Sequence, residues 1–256
     1  MTEDDRQIKS IQTAFSIIEQ LKLKDGATVS EVAEELGRAK STIYFHLRTL
    51  NNVGYVVKQG EEYAVGYRFL DLGSFAREQS LIYNHSRSKV DALADETNES
   101  AWLLAEDHGK GIYLYNARGE RSVRTMSRIG LQTYLNQTAA GKSILAFSSR
   151  SKVDSIIERY GLPAQTKNTI TDREELFDEL ETIREQGFAL NREESLDGIH
   201  AVGAPIQNSD GDLLGAISVS GPANRISNDR FEEALPNKVL GIANEIEIHI
   251  AHANDA

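Results

Sequence analysis

Residues 28–66 read TVSEVAEELGRAKSTIYFHLRTLNNVGYVVKQGEEYAVG. Thr28 or Ser30 suits an N-cap, and Glu31 stands three residues after Thr28, the spacing of a capping box. Val32, Ala33 and Leu36 then form the apolar stripe of a short helix. Gly37 stops it, because a left-handed residue there carries no Cβ penalty. Ser41 is expected to cap a second helix in which Ile43, Leu47, Leu50 and Val53 face the core. Tyr55–Val57 and Tyr63–Val65 read as two short strands around Gln59-Gly60-Glu61-Glu62. Two helices joined at a glycine and followed by a hairpin form a winged helix-turn-helix, a shape that fits a DNA groove.

The polar face of the second helix carries Thr42, Tyr44, Phe45, His46, Arg48 and Thr49, side chains suited to base edges in the major groove. Arg38, Lys40 and Ser41 lead into it and suit phosphates, and Lys58 on the wing suits the backbone of the duplex. Residues 1–66 hold eight Lys and Arg against ten Asp and Glu, yet no acid occurs between Glu35 and Glu61. That acid-free window is an electrostatic footprint for double-stranded operator DNA. Four basic groups per chain bind weakly alone, so a homodimer, or a homotetramer, placing paired helices in successive grooves is implied.

With 256 residues the chain suits two domains, each able to bury a core. It has no cysteine, which excludes disulfides and thiolate chemistry. The opening MTEDDRQ lacks an apolar h-region, and no apolar run is long enough to cross a bilayer. The expectation is a cytoplasmic protein with no membrane partner. The net charge is −11, with 11 Lys against 17 Arg, which hints at a high-salt cytoplasm as readily as at an ordinary acidic protein. In high salt, screening weakens phosphate contacts and leaves more of the affinity to non-ionic ones.

Outward from the winged segment, residues 6–24 read as a supporting helix with Ile8, Ile11, Phe15, Ile18 and Leu21 as its buried stripe. Residues 67–84 read as one amphipathic linker helix and a dimer seam. The expected domains are 1–66 for DNA binding, 67–85 for the linker and 86–256 for a mixed α/β (α+β) sensor. Within the last, helices are expected at 88–97, 139–148, 151–160 and 172–186. Strands are expected at 100–106, 111–117, 122–127, 188–190, 199–206 and 213–220, with a turn at Asn208-Ser209-Asp210-Gly211. A long helix over 228–252, disturbed at Pro236, closes the chain.

Catalytic signatures fall short. Ala140-Gly141-Lys142-Ser143 ends like a P-loop, but Asn136 stands where the first glycine belongs, so Lys142 reads as a helix-surface charge. His200, His249 and His252 do not supply three or four converging ligands, and no metal or other cofactor is expected. Ser218 or Ser220 with His200 and Asp197 lacks a nucleophile elbow. Glu193 and Glu194 would face opposite ways on a strand. A small-molecule hydrolase is therefore the weaker reading.

In several ordered blocks the chain resembles the IclR family of transcription regulators from end to end. The N-terminal blocks are Lys40-Ser41-Thr42-Ile43-Tyr44, Leu47-Arg48-Thr49-Leu50 and Val53-Gly54-Tyr55. Further on come Thr138-Ala139-Ala140-Gly141-Lys142-Ser143-Ile144-Leu145-Ala146, Gly187-Phe188-Ala189, Glu193-Glu194, Gly198-Ile199, Ala204-Pro205-Ile206, Asp210-Gly211 and 215–222 with Arg225. It departs at His46, where many members carry Arg, and at Asn136-Gln137, which replaces a His-containing lead-in. The resemblance implies a GAF-like C-terminal domain that binds a small organic-acid effector in a cup and regulates catabolic genes. Ala139, Ala140, Asn191, Ile199, Ala201, Ser218 and Ser220 would line that cup, with Met126, Gly130 and Leu131 on its lid side. Physically, a helix N-terminus at 139–141 offers free N–H groups to a carboxylate. Ser218 and Ser220, two apart on a strand, point to one face. A sensor domain that only oligomerises is the other binding-module reading.

Overall fold

Residues 8–125 and 127–254 are described by the computed structural model, which divides into a unit ending at Ala76 and a unit beginning at Arg77. In the first unit, α1 (Lys9–Leu23), β1 (Ala27–Thr28), α2 (Val29–Glu35) and α3 (Lys40–Asn52) precede the hairpin of β2 (Val56–Gln59) and β3 (Glu62–Val65). Its sheet has the order β1-β3-β2, antiparallel throughout. Ile17, Leu21, Val32, Ile43, Leu47 and Val56 pack into one core beneath it.

The capping box at α2 is present: Glu31 N donates to the Thr28 hydroxyl, and Thr28 N donates to Glu31 Oε2 at 2.7 Å. These bonds to Thr28 hold the Glu31 carboxyl below its usual range. Ser41 is not the cap of α3. The helix begins one residue earlier, Ala39 holds the cap position without a side-chain bond, and Ser41 lies in the first turn. Val53 is 44% exposed rather than in the core, because α3 ends at Asn52 and helical periodicity no longer aims its side chain. The buried stripe of α1 is Ile17, Ile18 and Leu21, with Ala14 half-buried beside it; Ile8, Ile11 and Phe15 lie about 100° round the helix from it and are exposed.

The expected linker helix is two helices. α4 (Arg68–Glu78) stops short, and Ser80 caps α5 (Leu81–Thr97) by accepting from Tyr83 N, so residues 81–84 belong to the helix after the break. A serine in an extended conformation competes for backbone donors and ends one helix while starting the next. Beyond it run β4 (Ser100–Asp107), β5 (Lys110–Arg118), β6 (Gln132–Thr133), α6 (Ala139–Ala146), α7 (Arg150–Tyr160), α8 (Arg173–Gln186), β7 (Ala189–Arg192), β8 (Ile199–Gln207), β9 (Leu213–Pro222) and α9 (Leu235–Asn254).

The six strands form one antiparallel sheet of order β6-β5-β4-β9-β8-β7. Alternation along β4 sends Leu103 to one face and Leu104 to the other. On the first face Val90 and Leu93 of α5 meet Val239 and Ile246 of α9 over Leu103, Val202 and Ile217. On the second, Ile144 and Leu145 of α6 meet Leu176 and Leu180 of α8 over Leu104 and Ala216. The layers are helix, sheet, helix.

Two further expectations need correction. The described residues of 122–127 form no strand: the chain turns at Gly119, whose N–H bonds Glu99 O, and the described residues that follow run as an irregular loop to β6. The disturbance near Pro236 is a π turn over Arg230–Ala234, with Leu235 N bonded to Arg230 O, placed just ahead of the residue that has no N–H to give. In the first unit Leu47 is fully buried, so Leu47→Ala is expected to lower its stability by about 2–5 kcal/mol. Urea unfolding followed by far-UV circular dichroism checks this, and an unchanged midpoint would contradict the packing described.

Candidate functional site

Three cross-strand registers build the floor of a cavity on the second face of the sheet. Trp102, Ser218 and Gly203 lie in one row, and Ser100, Ser220, Ala201 and Asn191 in the next. Gly203 in the first row lets α6 approach: a Cβ there would stand 2.6 Å from the carbonyl carbon of Ala139 and 2.7 Å from Ala140 N. Thr138 caps α6 by accepting from Gly141 N at 3.0 Å. The Ala139 and Ala140 N–H groups precede the first intrahelical donor, Lys142 N, which bonds Thr138 O. Between this helix start, the sheet and the loop before β6 lies a cavity of about 330 Å³.

Of the residues expected there, Leu131, Ala139, Ala140, Ile199, Ala201, Ser218 and Ser220 line it. Ser218 is 7% exposed, and its hydroxyl has no hydrogen-bond partner among the described residues. Met126 lies outside the described residues, although Thr125 and Ser127 on either side of it are on the wall. Gly130 and Asn191 are not on it. Gly130 makes the turn beside it at φ 80°, donating to Tyr113 O. Asn191 is fully buried, donating to Gln137 O at 2.9 Å and accepting from Glu194 N at 3.1 Å, so its amide ties β7 to the chain ahead of α6.

Sequence reasoning missed Trp102, Tyr113, Tyr134, Gln137, Gln165 and Ser195, all on the wall. Trp102 was within reach, since it alternates with Ser100 on a strand pairing with Ser218. Its ring meets Tyr113 edge-on at 4.9 Å. Burial raises the Tyr113 hydroxyl above the usual phenol value, against hydrogen bonding with Ser127 and Thr133.

Lys142 is not a helix-surface charge. All eight residues of α6 are buried, and Lys142 is 1% exposed, with Nζ 2.7 Å from Glu179 and 2.8 Å from Glu194. Burial pushes the Glu194 carboxyl above its usual range, and Lys142 works against that shift. Glu193 and Glu194 sit in a turn rather than on a strand: Glu193 (φ 62°) accepts from Gly198 N, while Glu194 O receives bonds from Thr166 and Thr169. His200 is held away from Ser218 and Ser220, with Nδ1 2.7 Å from Ile226 O and its ring stacked on Phe231.

On the first unit, Lys40, Ser41, Tyr44 and Arg48 share one exposed stripe of α3. Phe45, His46 and Thr49 line a groove against Ser10, Ile11 and Ala14 of α1, and Thr42 is on that side, its carbonyl 2.9 Å from His46 Nδ1. Arg38 is exposed in the turn before α3. Lys58 is exposed on the wing, its ammonium over the Tyr63 ring. Asn51, absent from the expected set, accepts from Lys58 N and so fixes the wing to the helix.

Comparison with known proteins agrees with both units. Residues 10–60 match the IclR helix-turn-helix domain, and residues 76–248 match the C-terminal domain of bacterial IclR transcriptional regulators. A Halobacterium salinarum protein named "Probable HTH-type transcriptional regulator ArcR" is 35% identical over 98% of this chain and 97% of its own. The Escherichia coli regulator KdgR is 29% identical over 88% and 87%. The crystal structure of Thermotoga maritima IclR superposes with TM-score 0.72 at 30% identity, covering 94% of this chain and all of that one. An IclR homologue from Microbacterium hydrocarbonoxydans complexed with 4-hydroxybenzoate shares the fold, with TM-score 0.79 at 17% identity over 94% and 98%. The winged unit, the sheet domain and these matches across nearly the whole chain place the protein in the IclR family of helix-turn-helix DNA-binding transcription regulators.

Proposed function

We propose that this regulator controls catabolic genes by binding operator DNA through α3 and the wing, and that a small organic acid in the cavity of the second unit alters that binding. The single observation that carries the ligand half is the cavity itself, walled by the sheet and a helix start, with a Ser218 hydroxyl on its wall that has no partner among the described residues. A hydroxyl that reaches the cavity surface and is bonded to no described residue is free to bind a ligand there. The 4-hydroxybenzoate in the Microbacterium homologue supports an acid. A second unit that serves only to oligomerise would have no use for such a wall.

In this reading Ser41, Tyr44 and Arg48 face the major groove, with Arg38, Lys40 and Lys58 on phosphates. A homodimer, or a tetramer made of two, sets the half-site spacing, and the acid shifts it by binding one arrangement better than the other. No described helix is long and apolar enough to cross a membrane, which agrees with a cytoplasmic site of action. The acid surplus and the Halobacterium relative favour a salty cytoplasm, where screening shifts affinity towards non-ionic groove contacts.

The test is a mobility shift with DNA upstream of the protein's own gene, at two salt concentrations, with and without a panel of small organic acids. A specific complex that an acid changes supports the proposal, whereas a complex indifferent to every acid removes its ligand half. Arg48→Ala is expected to weaken operator binding by about 1–3 kcal/mol and leave acid binding unaltered; equal operator affinity would take Arg48 off the interface. Ser218→Ala is expected to weaken acid binding with the fold retained, read by calorimetry beside circular dichroism. In Gly203→Ala the new methyl meets backbone, so the first turn of α6 must shift and acid binding fall by more than in Ser218→Ala.

A further inference from the structure

The cavity has no charge of its own. None of its described lining residues is Asp, Glu, Lys, Arg or His. Arg124 and Arg128 flank the wall residues Thr125 and Ser127 but are exposed and off the wall. One buried cation stands close by, Lys142 in the first turn of α6, and both of its neighbours are carboxylates: Glu179 and Glu194. Glu194 directly precedes the wall residue Ser195, and Lys142 follows the wall residue Ala140 by two, so the cluster stands on the chain next to the wall without lining it. What remains to attract an anion is the start of α6, worth roughly half a positive charge. Ser218, 7% exposed, supplies a second, neutral contact point on the opposing sheet, its hydroxyl open to the cavity.

Resting on the reading of this cavity as an acid site, we infer that the Lys142–Glu179–Glu194 cluster restricts the ligand to a monocarboxylate that bears a hydroxyl or other neutral polar group, and excludes dianions. The helix start meets one carboxylate. A second carboxylate, or a phosphate ester, would lie between these walls with no counter-charge among the described lining residues, which is costlier than placing a hydroxyl there. Glu179 and Glu194 are the specificity-determining residues, and they act by field rather than by touch. If either one is made neutral, Lys142 is no longer overmatched and the cavity becomes more positive. Dianions then gain more than monoanions, because the gain scales with ligand charge.

The experiment measures binding to the full-length protein by calorimetry, with two matched sets of probes. One set is 4-hydroxybenzoate, terephthalate and 4-hydroxybenzamide; the other is gluconate, glucarate and glucose. The expected result is binding of at least one monocarboxylate, and weaker binding of its dicarboxylate partner by on the order of tenfold or more. Glu179→Gln, at the more exposed end of the cluster, is expected to narrow that ratio several-fold, and Glu194→Gln to do the same if it folds. Equal affinity for a monoacid and its diacid overturns this inference and leaves the acid site standing. A preference for monoacids that Glu179→Gln leaves unchanged removes the cluster as its cause. No binding by any of the four acids overturns the acid site itself, and this inference with it.

Discussion

The arrangement of the second unit depends on one contact, the backbone of Ala139 and Ala140 lying against Gly203 of β8 with no room for a Cβ between them. Glycine permits that approach, and Gly141 permits another against the Leu135 carbonyl. The helix so placed has neighbours on every side. Its first N–H groups come to face a space walled by Trp102 and Ser218. A helix start in bulk water is screened and weak, whereas one facing a walled cavity keeps more of its field.

Burying α6 all round forces the treatment of Lys142. A lone buried ammonium is costly, and the chain meets that cost with two carboxylates. One of them, Glu194, lies in the turn after β7, where Thr166 and Thr169 bond its carbonyl and the Asn191 amide bonds its N–H. The same turn carries Ser195 and Leu196 to the cavity wall. Charge neutralisation in the core and wall placement at the site are thus one construction. A buried ion pair of this type adds little net stability, but losing one partner leaves an uncompensated charge. Such groups fix geometry more than they strengthen the fold.

Much of this was legible in the sequence because local rules and tertiary structure agreed. The capping box at Thr28 and Glu31 and the stripe of Ile43 and Leu47 follow from short-range spacing, as do the strands meeting at Asn208–Gly211. Legibility failed where a residue's role depends on a partner far away in sequence. Lys142 reads as a surface lysine until α8 and the turn after β7 bring Glu179 and Glu194 to it. Asn191 reads as a wall residue until its amide proves to be occupied by Gln137 and Glu194. The 67–84 stretch keeps one apolar period through Ser80, and only the extended backbone at that serine separates two helices. Tyr113 and Gln165 carry no local signal, and the fold alone brings them to the cavity.

A helix with all eight residues buried and its first turn set against glycine has little freedom to change side chains. Ser195 and Leu196 after β7, and the described residues of the loop between Arg118 and Gln132, are freer, since they meet solvent along one side. A substitution that reshapes the cavity without breaking the core therefore has room on the rim, while the helix start at Ala139–Ala140 is held fixed by its packing against glycine.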